Sequence, residues 1–314
     1  MPRERPALLL PALGLNALIA SGTFLVAKGA LREFPPLTLA LLRFVLASAV
    51  LWPLTRWLRP GVRIAREDRG RVLLLGLLAV PLNQGLFLLG MAWASASHAS
   101  LLYALTPAFV ALAAALAARR APDARAGAGI ALAFLGVLTL MIQRGIHFDR
   151  HSVAGDGIVL VAVVAWALYL VAGRRLILKY GPLVVTAEAL GVGTLMYLPI
   201  GLVAARHFEP RAISAGGWMG LFYLAWLTSG VNYVIWFWGL AYIRPHSVAL
   251  LTNLQPLVTA TLAWALLHEA LPAGFTLSTA LVLVGVWLAQ SRSRPAPERP
   301  LDSGRSADHP LGRA

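Results

Sequence analysis

Arg43 and Glu188 are the formal charges that fall well inside long apolar runs of this sequence. A charge at the centre of a bilayer costs about 2.5–3.5 kcal/mol even on lenient insertion scales, so each must find a partner or water. In chemical terms Arg43 offers a fixed cation for an anionic group, and Glu188 a carboxylate able to take up and release a proton. The competing readings are an arginine that hydrogen-bonds backbone carbonyls and a glutamate that reaches the polar interface. Counting along the helices puts Arg43 about 10 Å deep from one side and Glu188 about 8 Å deep from the other, too far apart for a direct ion pair.

Amides and rings supply a second set. Asn83, Phe87 and Gly90, and again Asn232, Trp236 and Gly239, run i, i+4, i+7 down one helix face. One polar, one aromatic and one small residue per face suits a cavity that binds a polar solute. The alternative is that both asparagines hydrogen-bond neighbouring helices, worth about 0.6–2 kcal/mol each in lipid. Pro107 and Pro256 each remove a ladder donor and obstruct the carbonyl four residues back. The backbone groups so freed, with Tyr103, Asn253 and Gln255 close by, line a midplane site or simply mark a satisfied kink. Trp166 beside Tyr169, and Tyr233 beside Trp236, lie deep in their runs; Trp166, Tyr233 and Trp236 are the cavity candidates, against plain packing. Trp52, Trp57, Trp93, Trp218 and Trp287 fall near run ends, where an aromatic belt accounts for them.

Enzyme signatures are missing. His98, His246 and His268 lack the spacing of a metal site, no serine lies in a Gly-x-Ser-x-Gly turn, and paired carboxylates are absent. Gly191-x-Gly193 is preceded by no strand and followed by no lysine, so it reads as close helix packing, not a phosphate loop. With no cysteine, the chain has no disulfide, thiolate nucleophile or thiolate metal ligand. Neither a cofactor nor a metal is expected.

The elements that position these residues follow from composition. Of 314 residues, 59% are hydrophobic and 13% charged, against roughly 25% charged in an ordinary soluble domain. Ten mostly apolar stretches, at about 8–27, 36–55, 71–92, 97–118, 126–143, 157–174, 183–204, 216–242, 247–267 and 274–290, are each long enough as helices to cross a hydrocarbon core of about 30 Å. The connections are too short to fold as soluble domains. The net charge of +14 is a matter of topology and not of nucleic acid. With the N-terminus inside, about 20 Lys and Arg fall on the cytoplasmic side and about 6 outside, and Arg56 to Arg71 alone holds six arginines. The opening Met1-Pro-Arg-Glu-Arg5 before an apolar run imitates a secretory signal, but the first helix is needed by the repeat described next. Residues 291–314, rich in Pro, Ser, Arg and Asp, read as a disordered cytoplasmic tail.

A shift of 149 residues lays Asn83 on Asn232, Gly90 on Gly239, Leu105 on Leu254, Pro107 on Pro256 and Gly136-Val137 on Gly285-Val286. Upstream, a shift of 146 lays Lys28 on Arg174, Phe34 on Tyr180 and Pro36 on Pro182. Each half therefore holds five helices, residues 1–143 and 144–290. An odd number of spans makes the second copy enter the membrane from the opposite side, the inverted repeat many transporters use.

At these residues the chain resembles the EamA family of the drug/metabolite transporter superfamily, over roughly residues 8 to 290. The telling pieces are Pro-Pro-Leu-Thr-Leu-Ala-Leu-Leu-Arg ending at Arg43, the Gly-x-Ala-aromatic steps at 90–93 and 239–242, and Ala-Leu-Leu-x-x-Leu-x-Pro at 249–256, echoed with Ser first at 100–107. Glu269 matches the acidic residue the family carries after the ninth span; the first half departs from the pattern with Arg120. The resemblance implies an all-α integral membrane fold of ten helices in two inverted five-helix repeats. It also implies a multi-pass protein of the bacterial cytoplasmic membrane, exporting a small solute such as an amino acid or drug by alternating access. The sparse basic residues within the spans favour a zwitterionic or aromatic solute over a phosphate sugar, with a proton as the candidate coupling ion. A passive facilitator of the same fold is the rival, and a membrane-embedded enzyme or scaffold a more distant one.

Overall fold

The computed structural model of the protein describes residues 9–117, 119, 121, 123–142, 150–233, 235, 245–269 and 274–290. These form ten helices and, among the described residues, no strand. In chain order they are α1 (Leu9–Ala30), α2 (Pro36–Leu58), α3 (Arg66–Trp93), α4 (Ala96–Ala117) and α5 (Ala124–Ile142), then α6 (Arg150–Tyr180), α7 (Pro182–Ala205), α8 (Ala215–Phe222, continuing as Tyr223–Asn232), α9 (Pro245–Leu267) and α10 (Phe275–Gln290). Among the described residues, α2, α3, α4, α6 and α7 contain stretches both long and apolar enough to span a membrane; α5, α9 and α10 carry shorter apolar stretches.

Local chemistry explains where several helices begin. Pro36 and Pro182 are first helical residues of α2 and α7, where a missing N–H costs nothing and the fixed φ suits the helix. They are also equivalent under the 146-residue shift. Ser95 caps α4 by accepting from His98 N at 3.2 Å, and Ser214 caps α8 by accepting from Gly217 N at 3.1 Å.

Large apolar side chains cover the outside: Leu116, Leu178, Leu195, Val203, Met219 and Leu266 are all exposed. That is the surface expected of a bundle solvated by lipid. Inside, the main apolar core runs through both halves, with Phe44, Leu75, Leu88, Met91, Leu101 and Tyr169 nearly inaccessible.

The repeat is visible in the packing. Helices α5 and α10, fifth in their halves, pack together, as do α2 and α7, the second of each. A Cβ on Gly136 would come within 2.8 Å of Ser278 O and Val282 N, while one on Gly285 would meet Gly129 O at 2.6 Å and Ala133 N. Shifting Gly129, Ala133 and Gly136 by 149 gives Ser278, Val282 and Gly285, so these are one contact made twice. Small residues let the two backbones approach this closely, which is how helices associate in lipid. Gly90 and Gly155 do the same for α3 and α6, and Gly193 packs against Gly76 of α3, the role expected of the Gly191-x-Gly193 pair, whereas a Cβ on Gly191 would meet open space.

The two ends of the bundle differ. At one end, which also carries the arginine-rich connection after α2, Asp68 accepts from Lys179 Nζ at 2.7 Å, Tyr180 Oη at 2.8 Å and Arg71 Nη1 at 2.9 Å. These bonds tie the start of α3 to the end of α6. At the opposite end Glu33 accepts from Ser214 N at 2.6 Å and Ser214 Oγ at 2.8 Å, tying α1 to α8.

Candidate functional site

The centre of the bundle is built on two wide turns. Leu78–Gly85 of α3 and Tyr223–Asn232 of α8 are π-helical, at overlapping positions of the two repeats. A π turn shifts the ladder by one residue and frees carbonyls for other partners, and such turns concentrate at functional sites. Leu224 O, in the second of these turns, accepts from Ser229 Oγ at 3.1 Å, five residues on, and from Arg43 Nε at 3.1 Å.

Arg43 is fully buried on α2, and its Nε also donates to Ser229 Oγ at 3.0 Å. Its guanidinium carbon stands 5.1 Å from the Phe44 ring centroid. Among the described residues Nη1 has no hydrogen-bond partner. The arginine thus does two things at once: it holds a backbone carbonyl of the π turn and keeps donor capacity in reserve.

Asn83 is inaccessible on α3, and its Nδ2 donates to Tyr103 Oη and Ala162 O, both at 2.8 Å, while its Oδ1 accepts from Gln84 Nε2 at 2.6 Å. Phe87 is one turn along, edge-on to Tyr103 at 5.5 Å, and Phe24 of α1 completes the group at 5.6 Å from Tyr103 and 5.7 Å from Phe87. In the other half Asn232 accepts Asn16 Nδ2 on both its carbonyl, at 2.9 Å, and its Oδ1, at 2.7 Å. Asn16 and Ala162 are equivalent under the 146-residue shift, so the same pair of positions is bonded in both halves, but with the donor reversed: Asn83 donates to Ala162 O, whereas Asn232 accepts from Asn16.

Trp166 stacks on Tyr169 at 5.2 Å and meets Tyr233 edge-on at 5.8 Å, joining α6 to α8. Arg43, Asn83, Phe87, Tyr103, Trp166, Asn232 and Tyr233 are therefore gathered in one interior region. Pro107 interrupts α4, which runs as Ala96–Tyr103 and then Thr106–Ala117. The carbonyl the proline cannot serve belongs to Tyr103, and Thr106 Oγ1 donates to it at 2.7 Å. Pro256 lies within a continuous α9, next to a half-buried Gln255. Asn253 is in the same helix, but its side chain lies outside the described residues, as do Trp236, Arg120 and the tail from 291.

Glu188 is not in this region. Its carboxylate stands 3.7 Å from Arg56 Nη2 at the arginine-rich end, with the side chain 28% exposed, which is the interfacial placement. Arg43 and Glu188 are not brought together.

A set of contacts at the opposite end was not anticipated. Lys28 Nζ donates to the carbonyls of Met91, Ala92 and Ala94 at 2.9, 3.4 and 2.6 Å, capping the last turn of α3. Glu269 accepts from Ala96 N at 2.9 Å, Ser97 N at 3.3 Å and Ser97 Oγ at 3.0 Å, at the positive end of α4. Lys28 and Glu269 also attract each other. Together they latch α1 and the end of α9 onto the α3–α4 connection. Asn16, Phe24, Lys28 and Ser229 were all missed by reasoning from sequence. Only Lys28 carried a signal there, as the partner of Arg174 in the repeat.

Among the described residues no cluster of His, Asp or Glu is placed to hold a metal. Comparison with known proteins adds family and fold. The EamA-like transporter family matches twice, over residues 10–142 and 153–290. A protein of Archaeoglobus fulgidus described as an uncharacterized transporter is 32% identical over 287 residues, 89% of this chain and 96% of its own. The Bacillus subtilis uncharacterized transporter YyaM is 27% identical, over 87% and 90%. A probable terminal-alkyne amino-acid exporter of Streptantibioticus cattleyicolor is 29% identical over 235 residues, covering 74% and 77%. A solved crystal structure superposes with a TM-score of 0.61 over 91% of this chain and 98% of that one, at 19% identity, so it shares the fold.

Proposed function

We propose that this chain, which belongs to the EamA-like transporter family and is a multi-pass membrane transporter of the drug/metabolite type, exports a small solute bearing a carboxylate and an apolar or aromatic body. The termini are assigned to the cytoplasm, because the arginine-rich connection between α2 and α3 then falls on the side where basic residues are retained. The Lys28 and Glu269 latch is accordingly external. The membrane assigned is the bacterial cytoplasmic membrane, and no chemical step is required of the protein.

The observation that carries the solute assignment is Arg43. A fully buried guanidinium whose Nη1 has no hydrogen-bond partner among the described residues suits one carboxylate, and Trp166 stacked on Tyr169 offers a flat apolar wall on α6. Substrate would bind among α2, α3, α4, α6 and α8, which come from both repeats, and be released after the halves rock about that site. An amino acid fits this description, in keeping with the name of the Streptantibioticus relative.

The test is untargeted mass spectrometry of the medium around cells expressing the parent chain or the Arg43→Ala, Trp166→Ala double variant at equal membrane abundance. A carboxylate-bearing solute enriched outside with the parent alone supports the assignment. Enrichment of the same solute by both proteins sinks it.

A further inference from the structure

At the arginine-rich end, away from the central region, lies a cavity of about 490 Å³ lined by Arg56, Arg63, Arg69 and Glu188 above Val72, Leu73 and Val192. It opens between the end of α2, the connection that follows, and the starts of α3 and α7. Three cations and one anion leave it basic. The acidic residues of the same connection do not correct this, since Glu67 and Asp68 are engaged by Lys179, and Asp68 by Arg71 as well. Among the described residues neither Arg63 nor Arg69 forms an ion pair. Arg56 is held by Glu188 at 3.7 Å and lies over the Trp52 ring at 4.6 Å.

Height in the membrane decides what such a cavity can take. Trp52 is half exposed and Leu73 and Leu74 are exposed apolar side chains next to the arginines, so the basic rim sits at the boundary between hydrocarbon and water. Guanidinium groups pair with phosphate oxygens through two parallel hydrogen bonds, and an apolar floor receives what is attached to that phosphate.

We propose that this cavity is a binding site for a phosphate group carried by an anionic phospholipid of the adjoining leaflet. Arg63 and Arg69 take the phosphate directly, and the acyl chains run along Leu73 and Leu74. Arg56 is shared between the phosphate and Glu188, so the carboxylate competes with the lipid. The site joins α2 to α7, one of the helix pairs that cross between the repeats, and its occupancy is independent of which solute the centre carries.

Native mass spectrometry of the purified full-length chain, titrated with phosphatidylglycerol, phosphatidylcholine or inorganic phosphate, tests this. One phosphatidylglycerol should be retained in preference to phosphatidylcholine. Its affinity should fall about thirtyfold in Arg63→Gln with Arg69→Gln, the order expected for two basic residues at an anionic surface, and rise in Glu188→Gln. Arg206→Gln with Arg211→Gln, the same charge loss at the other end, should leave it unchanged and so controls for folding and net charge. Equal binding of the two lipids, or phosphatidylglycerol affinity equal in the parent and the Arg63, Arg69 variant, would overturn the proposal. Inorganic phosphate bound as tightly as the lipid would reassign the site to a soluble phosphate compound.

Discussion

Ser48 and Thr194 occupy equivalent positions of the two repeats, and their hydroxyl oxygens lie 3.0 Å apart. A residue that bonds its own repeat mate sits on the pseudo-twofold axis. If the two access states are exchanged by that axis, as an inverted repeat implies, this contact is the same in both. The Lys28 and Glu269 latch is not of this kind. Its equivalents in the repeat are Arg174 and Arg120, two cations that cannot reproduce it, so exchange of the states breaks it. The first prediction follows from the axis. Because the chain has no cysteine, Ser48→Cys with Thr194→Cys is a clean pair; it should cross-link on oxidation and leave export unchanged, as read from solute accumulation in the medium. Arrest on cross-linking would mean that α2 and α7 separate during the cycle.

The latch makes the opposite prediction. Glu269→Ala removes the acceptor for three donors at the start of α4, and the external side should then open more often. A cysteine at Ala99, which is fully buried one turn into α4, should react several-fold faster with a membrane-impermeant maleimide in that background. An unchanged rate would show that Glu269 holds nothing closed.

Arg43 has a structural and a binding task that substitutions can separate. Ser229→Ala removes one of its two acceptors and should cost about 1 kcal/mol, the scale of a hydrogen bond between membrane helices, seen as a lower Tm with export retained. Arg43→Lys keeps a cation but cannot reproduce the planar fork that meets Leu224 O, Ser229 Oγ and a carboxylate together, so export should be lost. Full activity in the lysine variant would count against carboxylate recognition.

Asn16 and Asn232 should be coupled. A double-mutant cycle with leucine at each position should give an interaction of about 0.6–2 kcal/mol in reversible unfolding. Additive effects would mean that the bonds between α1 and α8 contribute nothing net.

How much of this was legible beforehand depended on whether the information was local. Gly136 and Gly285 stood out because the repeat aligns them, and the structure places them at one contact made twice. Trp166 and Tyr169, three apart on a helix, had to share a face. Ser229 could not be found, since nothing in the local pattern around it announces a π turn, and it is that turn which presents Leu224 O to Arg43. Asn16 was hidden for another reason: its mate is Ala162, which has no polar side chain and takes part only as a backbone acceptor of the Asn83 amide, so no side-chain match marked it. Glu188 was read by depth alone, and depth does not tell that Arg56, near the far end of another helix, comes within 3.7 Å.

Pulsed electron resonance distances between paired spin labels test alternating access most directly. Labels at Arg32 and Trp93 report on α1 against α3 beside the latch, and labels at Val50 and Met196, exposed and equivalent under the 146-residue shift, report on α2 against α7 across the axis. Two distances are expected for the first pair, with Glu269→Ala enlarging the longer population, and one distance for the second. A single distance at the latch in both parent and variant, or two across the axis, would contradict alternating access about this axis.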